Sequence, residues 1–178
     1  MKTVARRGIR PAVISLVFAG LLVALNAVPG GATTPVGFAS QILGRGTYVS
    51  HGSLPLKHGF DIVVTKTTVA PGGSSGWHSH PGGAIVIIQQ GEMTIYSSVG
   101  QGDEDRGQAQ SNEERGGRHP NCVITRYTHG QSFVERIGDV VQAVNTGTTD
   151  TIILATFPGV PVGGSARIDH PNPGTCGI

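Results

Sequence analysis

Apolar and polar positions alternate along much of the chain after residue 32, and helical periodicity is almost absent there. Short runs rich in β-branched residues are separated by glycine and other turn-forming residues, which is typical of an all-β protein. Gln90-Gly91 and Asn145-Thr146-Gly147 are turn signals. Closely spaced short strands of this kind predict one sandwich, jelly roll or barrel. The predicted strands run over Gly46 to Val49, Asp61 to Val69, Gly76 to His80, Ala84 to Gln89, Met93 to Ser97, Val123 to Tyr127, Ser132 to Glu135, Val140 to Val144 and Thr151 to Phe157.

The first 32 residues follow a different pattern, typical of a secretory signal peptide. A basic start is followed by an apolar run of 18 residues from Pro11 to Val28, and small residues lie at 30–32. We expect cleavage after Ala32, which makes the protein secreted and leaves residues 33–178 as its single domain. If the leader is not cleaved, the same run is near the minimum length of a membrane anchor.

Removing this leader changes the charge of the chain. Four of its 13 Lys and Arg residues lie in residues 1–32, and none of its 11 Asp and Glu residues does. The remaining 9 basic and 11 acidic residues give a net charge of −2. We therefore expect no nucleic-acid partner, and no membrane partner after cleavage.

Both cysteines of the chain lie in the predicted mature domain. An even number of cysteines in an exported chain favours a disulfide, and no CxxC spacing points to a metal or redox pair. We therefore predict a Cys122–Cys176 bond that ties the last residues to the middle of the chain.

One segment interrupts the succession of strands. Residues 99–121 are rich in glycine and charge and have almost no apolar side chains, so they cannot bury enough surface to order themselves. We predict a flexible insertion in the barrel domain.

The candidate chemistry lies at Trp77-His78-Ser79-His80-Pro81. Two histidines at i and i+2 on a strand point to the same face, so both imidazoles enter one cavity if that face is the barrel interior. Such a pair is half of a transition-metal site. By itself, His-x-His is a weak signal that is more often structural.

The spacing around this pair resembles the first conserved motif of the cupin superfamily. Five residues separate Gly72 from His78, and Gly91 follows His80 as the last glycine of that motif. The stretch from Gly130 through Gly138 to Asn145 resembles the second cupin motif. The tail from Arg167-Ile168-Asp169 to Cys176 is similar to that of small exported cupin-domain proteins of actinobacteria. The resemblance implies a single cupin jelly-roll β-barrel, an Fe, Mn or Zn ion as cofactor, and a homodimer.

Two of the four metal ligands implied by the resemblance are missing. Ala84 stands where cupins place a glutamate, and Val141 stands where they place the histidine of the second motif. Asp139 shares the strand parity of Val141, and His129 flanks the predicted barrel mouth, so both are candidate replacements. His119, in the insertion, is a third.

Three functions remain open from the sequence. The first is a secreted barrel that binds a small molecule and carries a degenerate metal site. The second is a metal-dependent cupin enzyme of the dioxygenase, decarboxylase or isomerase type, which uses His78 and His80 with a non-standard third ligand. The third is a structural or partner-binding module that uses the insertion as a contact arm.

Overall fold

The computed structural model describes residues 31–49, 56–98, 118–119 and 121–178, with the backbone alone at 118–119. Within these residues the chain is all-β and contains no helix. Its strands are β1 (Val36–Thr47), β2 (Asp61–Ser74), β3 (His78–Ser79), β4 (Ala84–Gln90), β5 (Glu92–Ser98), β6 (Arg118–His119), β7 (Cys122–Thr128), β8 (Ser132–Glu135), β9 (Val140–Val144), β10 (Thr151–Val160) and β11 (Ile168–Asp169).

All the strands belong to one antiparallel sheet that forms a nearly closed barrel. The main path runs β6-β7-β5-β9-β2-β10-β4-β8, with β1 beside β2 and the short β3 between β9 and β11. Backbone bonds from Ile88 N to Gln131 O and from His129 N to Gly91 O bring the β7–β8 turn against β4 and its hairpin. The all-β class and the barrel predicted from the sequence are confirmed.

The alternation that predicted the strands also determines their inner faces. In β2, the side chains of residues 61, 63, 65, 67 and 69 are buried, and those between them are at least partly exposed. In β4, Ala84, Val86 and Ile88 are buried whereas Ile85 and Ile87 are exposed. Because strand side chains alternate strictly, a register slip of one residue would expose every buried side chain.

Two strands differ from the sequence prediction. Only the first two residues of the predicted strand Gly46 to Val49 lie in a strand, where they are the end of the much longer β1, which pairs with β2 from Val36 onward. Most side chains of β1 are exposed on both faces, so it carries no alternating signal. The second difference is β11, a two-residue strand that pairs with β3 in a segment predicted to be only extended.

The four glycines of the two cupin-like motifs, Gly72, Gly91, Gly130 and Gly138, all adopt positive φ. The requirement is clearest at Gly91, where an added Cβ would lie 2.9 Å from the Asp150 carbonyl oxygen. Asn145, fully buried, donates from Nδ2 to the carbonyl oxygens of Val69 and Thr149, each at 2.8 Å. These motif residues therefore shape turns.

The predicted disulfide is confirmed. Cys122 and Cys176 are bonded, with their Cα atoms 5.1 Å apart. Both are buried and pack with the fully buried Trp77 in a small cluster separate from the barrel interior. We call these three residues the tryptophan–disulfide cluster. Trp77 therefore packs in a core, and its side chain is not part of the cavity lining.

Two sequence predictions fall largely outside the described residues. The leader, residues 1–32, is described only at its last two positions, and the insertion, residues 99–121, only at 118, 119 and 121. Arg118–His119 forms the strand β6 there and pairs with β7. In the part of the chain that the structure describes, no helix is long and apolar enough to cross a bilayer.

Candidate metal centre

His78 and His80 lie on one face of the short strand β3 and its exit, and both side chains are buried in the barrel. Their rings meet edge to face, with centroids 4.9 Å apart. Trp77, between Gly76 and His78, faces the tryptophan–disulfide cluster instead. Because side chains alternate along extended chain, Trp77 projects from the face opposite to that of His78 and His80.

Glu135, the last residue of β8, supplies a carboxylate to the same cavity. It pairs directly with Ala84 across the β4–β8 ladder, and directly paired residues project from the same face of a sheet. A carboxylate at 135 therefore replaces, from the neighbouring strand, the one that is missing at 84. Val141, at the other missing ligand position, pairs with His78 and is a buried apolar residue.

The three side chains form a compact donor set. One ligand atom from each of His78, His80 and Glu135 can be chosen so that all three lie within 4.8 Å of one another. Oε2 of Glu135 lies 2.9 Å from Nε2 of His80. The two atoms are not aligned as a hydrogen bond, so this buried oxygen has no hydrogen-bond partner within the described part of the chain. A buried carboxylate oxygen without a partner is costly, and a cation at this point would satisfy it.

Backbone carbonyl groups fix the orientation of both imidazole rings. Nδ1 of His78 lies 2.9 Å from the Gly76 carbonyl oxygen, and Nδ1 of His80 lies 2.5 Å from that of Ala166. Each carbonyl oxygen can only accept, so Nδ1 carries the proton and donates. This arrangement leaves Nε2 of a neutral ring as the ligand atom, as in metal-binding histidines.

Burial favours the neutral form of His78. The pKa of His78 is lowered from 6.5 to about 4, chiefly by desolvation. The charges of Arg167 and His80 act in the same direction, and the charge of Glu135 opposes them. The ring is therefore neutral at pH 7 and has a free lone pair. A neutral imidazole is the form that binds a metal ion.

The donor set opens into a cavity of about 320 Å³ inside the barrel. Its walls are mainly apolar, with Val86, Met93, Ile95, Phe133 and Phe157 among the lining residues. The lining is completed by Pro35 and Phe38, near the start of the described residues, and by residues 165–167. A small cavity with apolar walls and a few convergent polar groups is the usual form of a small-molecule site.

The other candidate ligands are not part of this donor set. Oδ2 of Asp139 accepts a hydrogen bond from Arg136 N at 2.9 Å, in the turn before β9. His129 lines a separate polar surface pocket with Glu92 and Arg126. The side chain of His119 lies outside the described part of the structure.

Glu135 is the site residue that sequence reasoning missed. It was recognised as part of the second motif stretch but was not considered as a ligand. The alternation within β8 could have identified it. Phe133 and Glu135 are two residues apart and therefore face the same side of the strand, and an aromatic residue such as Phe133 typically faces a barrel interior. The pairing of Glu135 with Ala84 depends on the register between two strands, which the sequence does not show.

No family model matches the chain, and no curated protein matches it either. Among solved structures, a recombinant oxalate oxidase in complex with glycolate aligns at 18% identity over 74% of this chain and 55% of its own, with a TM-score of 0.47. Peruvianin-I, a cysteine peptidase from Thevetia peruviana latex, aligns at 18% identity over 70% and 63%, with a TM-score of 0.44. Oxalate decarboxylase from Bacillus subtilis aligns at 15% identity over 61% and 23%, with a TM-score of 0.45.

This chain covers less than two thirds of the length of each of these three proteins. Likeness at this level carries no argument about activity. The nearly closed antiparallel barrel and the inward-facing His78, His80 and Glu135 nevertheless fit a cupin, the superfamily that the motif spacings resemble.

Proposed function

We propose that this chain is a metal-dependent enzyme of the cupin type, in which His78, His80 and Glu135 hold a divalent transition metal inside the barrel. The observation that supports the proposal is the donor set itself: three buried residues offer ligand atoms within 4.8 Å of one another, and Oε2 of Glu135 has no hydrogen-bond partner among the described residues. Two imidazoles and one carboxylate are the ligands of mononuclear non-haem iron sites, and they also suit Mn and Zn.

Three protein ligands favour catalysis over a purely structural role for the metal. Structural zinc sites are closed by four protein ligands, whereas catalytic sites keep an open position for water or substrate. Here all three donor residues line the apolar cavity of about 320 Å³, which would give a substrate access to such a position. When bound, the metal would supply Lewis acidity to a substrate oxygen at this position.

The residues of the chain would prepare the site in three ways. The carbonyl groups of Gly76 and Ala166 hold the protons on the two Nδ1 atoms, so that the lone pairs of both Nε2 atoms would be available to a metal. Glu135 balances part of the metal charge. The apolar walls limit the access of bulk water, which strengthens each electrostatic contact inside the cavity.

Metal analysis of the purified full chain tests this function. We expect about one equivalent of Fe, Mn or Zn after incubation with the metal and removal of the excess, since the part of the chain that the structure describes contains one such donor set. The double variant His78→Ala/His80→Ala should retain almost none. The matched controls His129→Ala and Asp139→Asn should retain the wild-type amount, because neither side chain belongs to the donor set. Wild-type protein that binds no metal under these conditions would contradict the proposal.

A second function, a metal-free barrel that binds a small molecule, is favoured by one contact. Nε2 of His80 and Oε2 of Glu135 approach to 2.9 Å and can form an ion pair without any metal, if His80 is protonated. In that case the cavity would hold an apolar ligand by itself. Ligand binding that persists unchanged in metal-free protein and in the double histidine variant would favour this function over the enzyme.

We place this activity outside the cell or in another oxidising compartment. The buried Cys122–Cys176 bond supports such a location, because structural disulfides are rare where thiols are kept reduced. A signal peptide in residues 1–32 would provide the export route. N-terminal sequencing of protein from the culture medium tests it, and a start at Thr33 is the expected result.

A further inference from the structure

The cavity of the metal centre contains one cationic side chain in addition to its ligands. Among the described lining residues, Arg167 carries the only guanidinium and Glu135 the only carboxylate. Arg167 comes from the segment between β10 and β11, and its side chain is 23% exposed. It therefore contacts both the cavity and the solvent.

Two hydrogen bonds hold the guanidinium of Arg167 in place. Nη2 donates to the Ser75 carbonyl oxygen at 2.6 Å, and Nε donates to Oδ1 of Asp169. The hydroxyl of Ser75 lies 3.4 Å from Nδ1 of His78, so the guanidinium is anchored close to the donor set. These bonds use two of the five N–H donors of an arginine, and the others can bind an incoming anion.

The charges of the occupied site favour an anion. A divalent metal on neutral histidines and one carboxylate keeps a net charge of +1, and Asp169 already balances Arg167. A net charge inside an apolar cavity is costly unless a counter-charge accompanies it. A monoanion would neutralise the site, whereas a neutral molecule would leave the charge unbalanced.

We infer that the substrate is a small monocarboxylate with an apolar remainder, whose carboxylate binds beside Arg167 and whose apolar part fills the cavity between side chains such as Met93, Ile95 and Phe133. This inference rests on the proposed metal centre. The cavity volume of about 320 Å³ lies at the lower end of the range for small-molecule sites, so the remainder must be short. Arginine is suited to the role because its planar fork binds a carboxylate through two parallel hydrogen bonds.

The test compares a carboxylate with a neutral molecule of the same shape. The full chain is first titrated with Zn²⁺, and the loaded protein is then titrated calorimetrically with 3-methylbutanoate and 3-methylbutanamide. We expect the carboxylate to bind at least about tenfold more tightly than the amide, as for a hydrogen bond to a charged group. This comparison uses the wild-type protein and does not depend on how any variant folds.

Three variants assign the preference to Arg167. Arg167→Gln should remove the preference for the carboxylate, whereas Asp169→Asn should increase it, because the competing internal carboxylate is gone. Arg126→Gln removes an arginine that pairs with Glu92 outside this cavity and should change nothing. An equal affinity for amide and carboxylate, or a preference that survives in Arg167→Gln, would overturn the inference. Absence of Zn²⁺ binding would instead overturn the metal centre.

Discussion

The two sides of the segment from Trp77 to His80 have opposite characters. On one side, His78 and His80 face a cavity with a buried carboxylate oxygen that has no hydrogen-bond partner in the described structure. On the other side, Trp77 packs against the Cys122–Cys176 bond in a cross-linked cluster, although its buried Nε1 also lacks a hydrogen-bond partner in the described structure. A single short stretch of extended chain therefore belongs to a binding cavity and to a structural core.

This difference shows how a small barrel can keep a few buried polar groups in an apolar cavity without losing its fold. The cavity side contains buried polar groups, which oppose folding until a ligand or metal satisfies them. The tryptophan–disulfide cluster, on the opposite face of the segment, offsets this loss of stability with a covalent bond and a buried indole ring. If stability and binding are divided in this way, substitutions on the two sides should have separable effects.

The largest effect is expected from removal of the disulfide. The double variant Cys122→Ala/Cys176→Ala opens a loop with a sequence separation of 54, which should lower the free energy of unfolding by about 4 kcal/mol in the chain-entropy model. Urea unfolding followed by the emission of Trp77, the only tryptophan in the sequence, measures this change.

The same variant also tests the separation of the two sides. Under conditions where it remains folded, it should bind the same number of metal ions as the wild type, because neither cysteine is a ligand. A variant that is stable but has lost its metal would show that the cluster shapes the centre directly, and the division of roles would be wrong.

The next largest effect is a pH dependence of the free energy of unfolding, which arises from the cavity side alone. The pKa of His78 is about 4 in the folded chain and 6.5 in the unfolded chain, so between these values the unfolded chain binds more protons. The contribution of neutral His78 to the free energy of unfolding is therefore fully present above pH 6.5. It is lost as the pH falls toward 4, by about 3 kcal/mol in total. Urea unfolding of metal-free protein at pH 7, 5.5 and 4.5 should show this loss, and His78→Gln should reduce it.

The disulfide cysteines do not titrate, which provides the matched comparison. The stability difference between wild type and Cys122→Ala/Cys176→Ala should be the same at all three pH values. A difference that changes with pH as strongly as that of His78→Gln would mean that the two sides are electrostatically coupled.

The smallest effect concerns the position of the carboxylate within the cavity. Glu135→Ala should weaken metal binding about 100-fold, as for the loss of one ligand among several. Ala84→Glu/Glu135→Ala should recover most of that affinity, because residues 84 and 135 pair directly and project from one face. Competition with a metal-sensitive dye measures each affinity.

Ile85→Glu/Glu135→Ala is the control for this exchange. Residue 85 is adjacent in sequence but faces outward, with 49% of its side chain exposed. This double variant should recover none of the lost metal affinity. Equal recovery from positions 84 and 85 would show that added charge, and not a ligand inside the barrel, determines the affinity.

The sequence was sufficient for the features that depend on local pattern. Alternation predicted most strands, cysteine number predicted the disulfide, and His-x-His on a strand predicted two imidazoles on one face. These inferences need only the period of two along a strand and the chemistry of the side chains. The long strand β1 was underpredicted because most of its side chains are exposed and show no such period.

The third ligand depended on information that a single strand does not contain. Asp139 and His129 were chosen because they lie near a motif position in sequence or at a predicted barrel mouth. Glu135 is close to the histidines because β8 pairs with β4 in a specific register, and that register results from the packing of the whole barrel. Long-range pairing thus decided the donor set, whereas local pattern decided the strands.

The contact between His80 and the Ala166 carbonyl group has a consequence for the timing of assembly. During synthesis, both histidines and Glu135 leave the ribosome before residues 166–170 do, since the chain grows from its N-terminus. Nδ1 of His80 then lacks the acceptor that sets its tautomer, and β3 lacks its partner strand β11. The barrel can close early, but the proposed metal centre would be complete only after the later segment docks, so we expect metal binding to follow that step.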